Sequence, residues 1–196
     1  MGLLDVLRGQ RTPKRADLDA LFAIGSAAMT LQAALGMTST GRAGVCFKEV
    51  EAGQFDALVR EIEELLRIAA PESGTTVSRR RDEHGFDWVV VEDPDVEDLA
   101  TTTHMVSQSL EERGFSERLL AAVFGFRGDD GPVFLVYAYK RGTFYPFAPR
   151  EGRRRDNALE LRLQGLLASD LPIEPELERW YPLWDAPLGD PPAEAA

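Results

Sequence analysis

The sequence holds few of the residues from which disulfides, metal centres and nucleophilic sites are built. It has one cysteine and two histidines in 196 residues. Cys46 alone can form neither an internal disulfide nor a cysteine-based zinc cluster. His84 falls in a predicted hairpin turn and His104 on a predicted helix, so no metal site is expected. The alternation of Cys46 with Val45 and Phe47 predicts a buried, inert thiol on a strand.

The chain also lacks long apolar runs and the common nucleotide-binding and catalytic motifs. It has no glycine-rich phosphate-binding loop and no G-x-S-x-G elbow, so neither a cofactor nor a catalytic residue is expected. The opening residues, MGLLDVLRGQ, have no basic region and no long apolar region of the kind found in a signal peptide. No window approaches eighteen consecutive apolar residues. These features predict a cytoplasmic, non-enzymatic chain without a membrane-spanning segment.

Positive charge is scarce overall. The chain has 22 Lys and Arg residues against 33 Asp and Glu residues, which gives a formal net charge of −11. Affinity for nucleic acid comes mostly from lysine and arginine, so this balance weighs against nucleic acid as a partner. A local basic patch would override the total. The length suits one sizeable domain, and 44% hydrophobic residues are enough to build its core.

Three stretches have the apolar spacing of amphipathic helices. Residues 54–69 repeat apolar positions at i, i+3, i+4 and i+7, with charges on the opposite side. A second helix is predicted to begin after Asp95, a suitable N-cap, and to end near Gly114. A third is predicted over residues 156–169, and a short helix precedes all three near the N-terminus.

Alternating apolar patterns predict three hairpins between these helices. Residues 26–36 (SAAMTLQAALG) are ambiguous, and the glycine-rich turn after them favours a strand that pairs with residues 44–50. A second hairpin is predicted over residues 75–93, and a third over residues 117–142. Residues 143–149 extend the third hairpin or turn back beside it, and their prolines restrict them to an edge.

The predicted order α-ββα-ββα-ββ(β)α gives an α+β fold class. Successive ββα units build a mostly antiparallel sheet, with the helices packed on one face. Residues 1–15 are predicted as an apolar turn followed by a basic linker, and residues 16–186 as a single domain. Residues 187–196 are predicted to be a disordered Pro/Ala-rich tail. The N-terminal turn is too short to be stable alone, so it is expected to dock on its own domain, a partner or a membrane surface.

Residues 140–155 (KRGTFYPFAPREGRRR) are unusually basic for so acidic a chain. They hold six of the 22 basic residues in sixteen positions. The arginine run precedes a predicted helix, where cations oppose the helix dipole, and such broken local rules are expected at functional sites. Arginine and aromatic residues also dominate interface energies. The residues predicted to bind a partner or an anion are Lys140, Arg141, Tyr145, Phe147, Arg153, Arg154 and Arg155.

The same segment has two other interpretations. In one, the arginines pair with the chain's own carboxylates, while Phe144, Tyr145 and Phe147 belong to the core. In the other, the segment binds nucleic acid. A second basic run, Arg79–Arg81, lies in the middle hairpin and is a candidate to join the same surface.

The chain resembles the actinobacterial PspA-associated protein family PspAB in several blocks. The most specific are YKRGTFYPFAP and RRDNALEL, and the opening MGLLDVLRG and the closing LPIEPELERWYPLW agree with them in order. The similarity runs from residue 1 to about residue 186. It implies a cytoplasmic protein of the phage-shock or envelope-stress response, in the neighbourhood of PspA and an HtpX-like membrane protease. It brings no catalytic residues.

These observations favour a non-enzymatic protein-interaction module of an envelope-stress response, with residues 140–155 as its contact surface. One alternative is a protein or enzyme that grips a phosphorylated or anionic small molecule with the same basic loop. Another is a chaperone-like α+β domain that holds a helix of another protein. Peripheral contact with the inner face of the membrane through residues 1–15 is a further hypothesis, and the oligomeric state stays open.

Overall fold

The computed structural model describes residues 17–69 and 74–189. Within these ranges the α-helices are α1 (Ile24–Leu35), α2 (Ala52–Ala69), α3 (Val96–Glu112) and α4 (Asn157–Leu167). The strands are β1 (Thr38–Phe47), β2 (Thr76–Arg81), β3 (Asp87–Glu92), β4 (Leu119–Gly128), β5 (Gly131–Ala138), β6 (Thr143–Phe147), β7 (Pro149–Arg150) and β8 (Arg154–Arg155). The predicted turn and linker at residues 1–15 lie outside the described residues, as do residues 190–196 of the predicted tail.

Six of these strands form one sheet in the order β2-β3-β1-β4-β5-β6. Every neighbouring pair in it is antiparallel. The short strands β7 and β8 form a separate ladder that pairs Pro149 with Arg155 and Arg150 with Arg154. The predicted α+β class with a mostly antiparallel sheet is therefore confirmed.

The two faces of the sheet belong to two different apolar clusters. Along β4, Ala122, Phe124 and Phe126 pack in the main core. Ala121 and Val123 belong to a second cluster on the opposite face, because side chains alternate along a strand. Each helix contributes buried residues to the main core, for example Ile24, Phe55, Leu99 and Leu159. The helices thus cover one face, as predicted, and the other face is left for a different segment.

The predicted start of α3 is confirmed by its capping contact, and α4 begins in the same way. The Asp95 side chain accepts a hydrogen bond from the Glu97 amide at 2.8 Å, so α3 begins directly after it. The Asp156 side chain accepts one from the Leu159 amide at 3.0 Å at the start of α4. Each such cap contributes about 1 kcal/mol relative to alanine. Gly114, with φ 83°, follows α3 in the left-handed conformation that favours glycine.

The middle and last hairpins also form as predicted. β2 pairs with β3 across the turn at residues 82–86, and β4 pairs with β5 across residues 128–131. β6 turns back beside β5 and forms one edge of the sheet, where the missing amide of Pro146 is tolerated. β5 is apolar on both faces because Leu135 faces the main core and Val136 the second cluster.

The prediction of a strand over residues 26–36 is wrong, because these residues lie in helix α1 and its C-cap. Ile24, Ala27 and Leu31 are fully buried at spacings of three and four, which places one helical stripe in the main core. Gly36, with φ 63°, ends the helix. The first unit is therefore α-β-α. β1 has no hairpin partner and lies between β3 and β4 in the middle of the sheet.

The stretch Leu18–Leu35, a 3₁₀ turn followed by α1, is apolar and 18 residues long, with a mean hydropathy of 1.5. By length and composition alone it is sufficient to cross a membrane. In this fold Leu21 and Ile24 are fully buried in the main core, whereas Phe22 and Met29 are exposed. One side of this stretch thus packs against the rest of the domain.

After α4 the chain crosses the sheet face that the helices leave open, and we call residues 172–189 the C-terminal strap. The strap begins beside β6, where the Phe144 amide donates to the Pro172 carbonyl and the Glu174 amide to the Phe144 carbonyl, both at 2.8 Å. Farther along, Trp180 and Leu188 are buried in the second cluster. The strap therefore packs against the sheet as far as Leu188.

Candidate functional site

A cavity of about 410 Å³ lies between the sheet and the C-terminal strap. Its floor is a row of side chains at one level of four adjacent strands. Trp88 of β3 is paired with Cys46 of β1, Cys46 with Ala121 of β4, and Ala121 with Ala138 of β5. Three of these four side chains are small, so the strap cannot pack closely against the sheet here. The register of the sheet thus creates the cavity.

The strap closes the opposite side of the cavity with Leu183 and Trp184. One tyrosine contact fixes it to β6, and one tryptophan contact braces it internally. The Tyr145 hydroxyl donates to the Tyr181 carbonyl at 3.0 Å, and the Trp180 indole donates to the Glu174 carbonyl at 3.0 Å. These bonds satisfy polar groups that would otherwise be buried without partners. The cavity wall is mostly apolar as a result.

One end of the cavity is acidic, and its carboxylates are all engaged. Asp82 accepts hydrogen bonds from the Trp88 indole at 2.9 Å and from the amides of His84 and Phe86. Asp185 of the strap lies 3.2 Å from the Arg153 guanidinium and 3.3 Å from Nε2 of His84. Asp185 therefore links the strap to the β2–β3 turn and to the arginine run.

The other end of the cavity is basic, and two of its cations have unpaired side chains within the described part of the chain. Lys140 and Arg141 lie in the exposed turn between β5 and β6. Neither side chain has a carboxylate or hydrogen-bond partner among residues 17–69 and 74–189, although the Arg141 amide donates to the Ala138 carbonyl at 2.9 Å. A third cation of the wall, Arg179, is paired with Glu176 at 2.7 Å and with Glu174 at 3.5 Å. Lys140 and Arg141 thus leave uncompensated positive charge beside apolar surface.

The structure separates the residues predicted in segment 140–155 into two groups. Tyr145 and Phe147 do not form an exposed aromatic surface, because both are buried beneath the strap. Phe147 contacts Trp184 at 5.0 Å between ring centroids, and the Arg155 guanidinium lies 5.3 Å above the Phe147 ring. Arg155 also pairs with Glu160 at 2.9 Å. The alternative of internal pairing and core aromatics describes these three residues.

The exposed residues of the segment form the second group, which we call the basic rim: Lys140, Arg141, Arg153 and Arg154. Arg153 is 62% exposed although it pairs with Asp185. Its φ of 52° makes it the one non-glycine residue of the described ranges with a left-handed backbone. Arg154 is exposed, and among the described residues its side chain donates only to the Glu151 carbonyl, at 3.1 Å. Lys140 and Arg141 line one end of the cavity directly, whereas Arg153 reaches the other end through its ion pair with Asp185.

The conflict between the arginine run and the dipole of α4 is resolved by neighbouring carboxylates. Asp156 caps the helix and lies 3.1 Å from the Arg150 guanidinium, and Glu160 in the first turn pairs with Arg155. The hydrogen bond donated by the Leu159 amide, and then the Arg150 charge, lower the pKa of Asp156 below its ordinary value. The other basic run, Arg79–Arg81, lies on β2 at the opposite edge of the sheet from β6, so it does not join the basic rim.

Cys46 is the nucleophilic side chain of the cavity wall, and its environment keeps it protonated. It is 3% exposed. Burial, followed by the charges of Asp82 and Asp87, raises the pKa of the Cys46 thiol far above its ordinary value. His104 stacks on Phe22 on the helix side, 4.9 Å between centroids. Among residues 17–69 and 74–189, no three or more His, Cys, Asp or Glu side chains are grouped to hold a metal ion.

The sequence interpretation missed most of the cavity. Trp88, Cys46, Ala121 and Ala138 were expected to be ordinary strand residues, and no cavity was predicted between them and the residues that follow α4. The available signal was Trp180 and Trp184 in a proline-rich tail, because large aromatic residues there need a surface to cover.

The family model described as PspAB, PspA associated protein B, matches residues 1–188 of the chain. Its end falls at Leu188, the buried residue near the end of the strap. Comparison with curated proteins gives no match, and comparison with solved structures gives none either. The match thus includes the whole cavity and the basic rim.

Proposed function

Because the chain belongs to the PspA associated protein B family, we propose that it is a non-enzymatic accessory protein of the envelope-stress response that binds a protein partner. The family description names PspA, so PspA itself is the first partner to test. An HtpX-like membrane protease is a second candidate, from the resemblance of the sequence. We place the protein in the cytoplasm, with peripheral contact at the inner face of the membrane through residues 1–15.

We further propose that the partner binds at the basic rim. The observation that carries this proposal is that three exposed cations of one segment, on a chain with net charge −11, have no carboxylate partner among the described residues. Carboxylates outnumber cations in this chain, and three arginines of the segment form ion pairs with carboxylates: Arg150, Arg153 and Arg155. Within the described ranges, Lys140, Arg141 and Arg154 form no ion pair. A partner that presents acidic side chains would neutralise these cations, and the attraction between the opposite charges would speed its association.

The non-enzymatic role is supported by the state of the nucleophile in the cavity. A thiol with a raised pKa is almost wholly protonated at neutral pH, and the thiolate is the reactive form. The carboxylates of the cavity wall, Asp82, Asp185 and Glu174, are engaged in hydrogen bonds or ion pairs with their own domain. None of them is positioned as a free general base.

The test is direct binding of purified PspA from the same host by the full chain and by two charge-reversed variants. The first combines Lys140→Glu, Arg141→Glu and Arg154→Glu. The second reverses Arg60, Arg80 and Arg162, which are also exposed and have no carboxylate partner among the described residues. Both variants change the net charge equally. Arg155 is left intact in both because it pairs with buried Glu160.

The rim variant should weaken binding at least tenfold, mainly through slower association, whereas the control variant should bind like the unaltered chain. Raising the salt concentration should reduce the difference between the variants. Equal binding by both variants would remove the basic rim from the interface. No binding of PspA by the unaltered chain would reject PspA as its direct partner.

A further inference from the structure

The cavity under the C-terminal strap has the dimensions of a site for a small molecule. Its volume of about 410 Å³ falls within the range of about 300–1,000 Å³ that is typical of ligand pockets. Neighbouring strands lie about 4.8 Å apart, so the floor from Trp88 to Ala138 extends over about 14 Å across three strand spacings. An extended ligand therefore has room to lie across the strands.

The side chains of the wall favour a ligand whose main part is apolar. Trp88, Ala121 and Ala138 form the floor with the neutral thiol of Cys46, and Trp184 lies on the side of the strap. A phosphorylated sugar or another hydroxyl-rich metabolite would leave its polar groups without partners against these side chains. This excludes the more polar ligands of the anion-binding alternative and leaves those with a long apolar part.

The distribution of charge gives the ligand an orientation. The carboxylates in the wall, Asp82, Asp185 and Glu174, are each held by partners of their own domain. Lys140 and Arg141, at the end formed by the β5–β6 turn, are unpaired within the described ranges. Glu174 lies at the same end, where it accepts a hydrogen bond from the Thr143 hydroxyl at 3.1 Å, but Arg179 compensates its charge. An anionic group is thus favoured beside Lys140 and Arg141 and disfavoured at the end occupied by Asp82 and Asp185.

We propose that this cavity binds a medium-chain carboxylate, with its alkyl chain over the floor of Cys46, Ala121 and Ala138 and its carboxylate beside Lys140 and Arg141. The proposal goes beyond the interaction with a protein partner and does not depend on it. The two sites share Lys140 and Arg141, so an occupied cavity would change the charge that the basic rim presents to a partner.

Tryptophan fluorescence provides a direct assay. The chain has three tryptophans, of which Trp88 and Trp184 line the cavity and Trp180 stacks on Tyr145 in the wall, 6.3 Å between centroids. The full chain is titrated with sodium decanoate below its micelle-forming concentration, and with 1-decanol and decyltrimethylammonium as neutral and cationic analogues. Decanoate should give saturable binding, decanol should bind at least tenfold more weakly, and the ammonium compound should not compete.

Shortening the chain tests the role of the apolar floor. Octanoate should bind about fifteenfold more weakly than decanoate, because each buried methylene contributes about fourfold in affinity. Equal affinities for octanoate and decanoate, or for decanoate and the ammonium analogue, would overturn the proposal. So would the absence of saturable decanoate binding by the full chain.

Two variants distinguish the cavity from other apolar surfaces. Ala121→Leu fills the floor and should abolish the binding of decanoate, while leaving the binding of a protein partner at the basic rim intact. The double variant Lys140→Gln with Arg141→Gln changes exposed residues only, so the fold is retained. It should weaken the binding of decanoate at least tenfold and have little effect on the binding of decanol. The matched control, Arg80→Gln with Arg162→Gln, should have no effect.

The same titration identifies a competing occupant. If decanoate binds only after residues 1–16 are removed, the cavity is filled by that segment of the chain and the proposal is wrong. If the Ala121→Leu variant binds decanoate as well as the unaltered chain does, the site lies elsewhere and the proposal is equally wrong. If the rim variant loses partner binding while every variant still binds decanoate unchanged, the cavity proposal is contradicted and the proposed protein interaction stands.

Discussion

Replacing Glu160 by alanine should reveal how strongly the arginine run is built into the fold. The Glu160 carboxylate is 4% exposed and accepts hydrogen bonds from the Ala148 amide at 2.8 Å and from Nε of Arg155 at 3.0 Å. Arg155 in turn donates to the Trp180 carbonyl at 2.6 Å, which connects α4 to the C-terminal strap. Glu160→Ala leaves a partly buried guanidinium without its carboxylate and a buried amide without its acceptor.

Removing one partner of a buried ion pair lowers the free energy of unfolding by about 3–5 kcal/mol. The lower end applies here because the Arg155 side chain is 21% exposed and water compensates part of its charge. For a domain of this size, each kcal/mol lowers the melting temperature by about 2–4 °C, so we expect a decrease of at least about 6 °C.

Urea denaturation followed by tryptophan fluorescence measures the free energy, and calorimetry measures the melting temperature. The matched control is Glu63→Ala, which removes an exposed glutamate from α2 and should change stability by less than about 0.5 kcal/mol. A loss below about 1 kcal/mol in Glu160→Ala would refute the structural role of Arg155. The whole arginine run would then again be a candidate for an exposed binding surface.

Two further predictions concern alkaline pH and the end of the strap. Burial, followed by the Asp17 charge, raises the pKa of Tyr137 from 10.0 to about 12, so stability should be complete below pH 10 and decline between pH 10 and 12. Tyr137→Phe should reduce this decline in urea titrations at several pH values, and an unchanged decline would contradict it. Leu188→Ala removes a side chain that is 2% exposed and should cost about 2–5 kcal/mol. It should also speed cleavage of the strap in limited proteolysis, and equal cleavage rates would show that Leu188 does not hold the strap.

Local sequence signals were sufficient for the elements whose pattern is set by nearest neighbours. The caps of α3 and α4 are single aspartates, and the two downstream hairpins have strong alternation on both sides of polar turns. The prediction for residues 26–36 failed because a short run of alanine, leucine and methionine fits a strand or a helix equally well. What decides for helix is the contact of Leu31 and its neighbours with the core, which sequence spacing over eleven residues did not reveal.

The candidate site was less predictable for a geometric reason. Its floor combines residues from four strands that are as far apart in sequence as Cys46 and Ala138, and only the sheet register aligns them. The basic segment is conspicuous in the sequence, yet its pattern could not separate the partly buried Arg155 from exposed Arg154, its direct neighbour. That difference arises from the two short strands β7 and β8, which turn successive side chains to opposite sides.

The central position of β1 has a consequence for how the chain folds. The hairpins β2–β3 and β4–β5 need only local contacts and can form early. Neither half of the sheet joins the other, however, until β1 pairs with Val89 of β3 on one side and with Ala122 of β4 on the other, both through Val45. Until then each half exposes an open apolar edge strand, the kind of surface on which nascent chains associate wrongly. Substitutions in β1 should therefore slow folding and lower soluble yield more than equal losses of stability elsewhere in the domain.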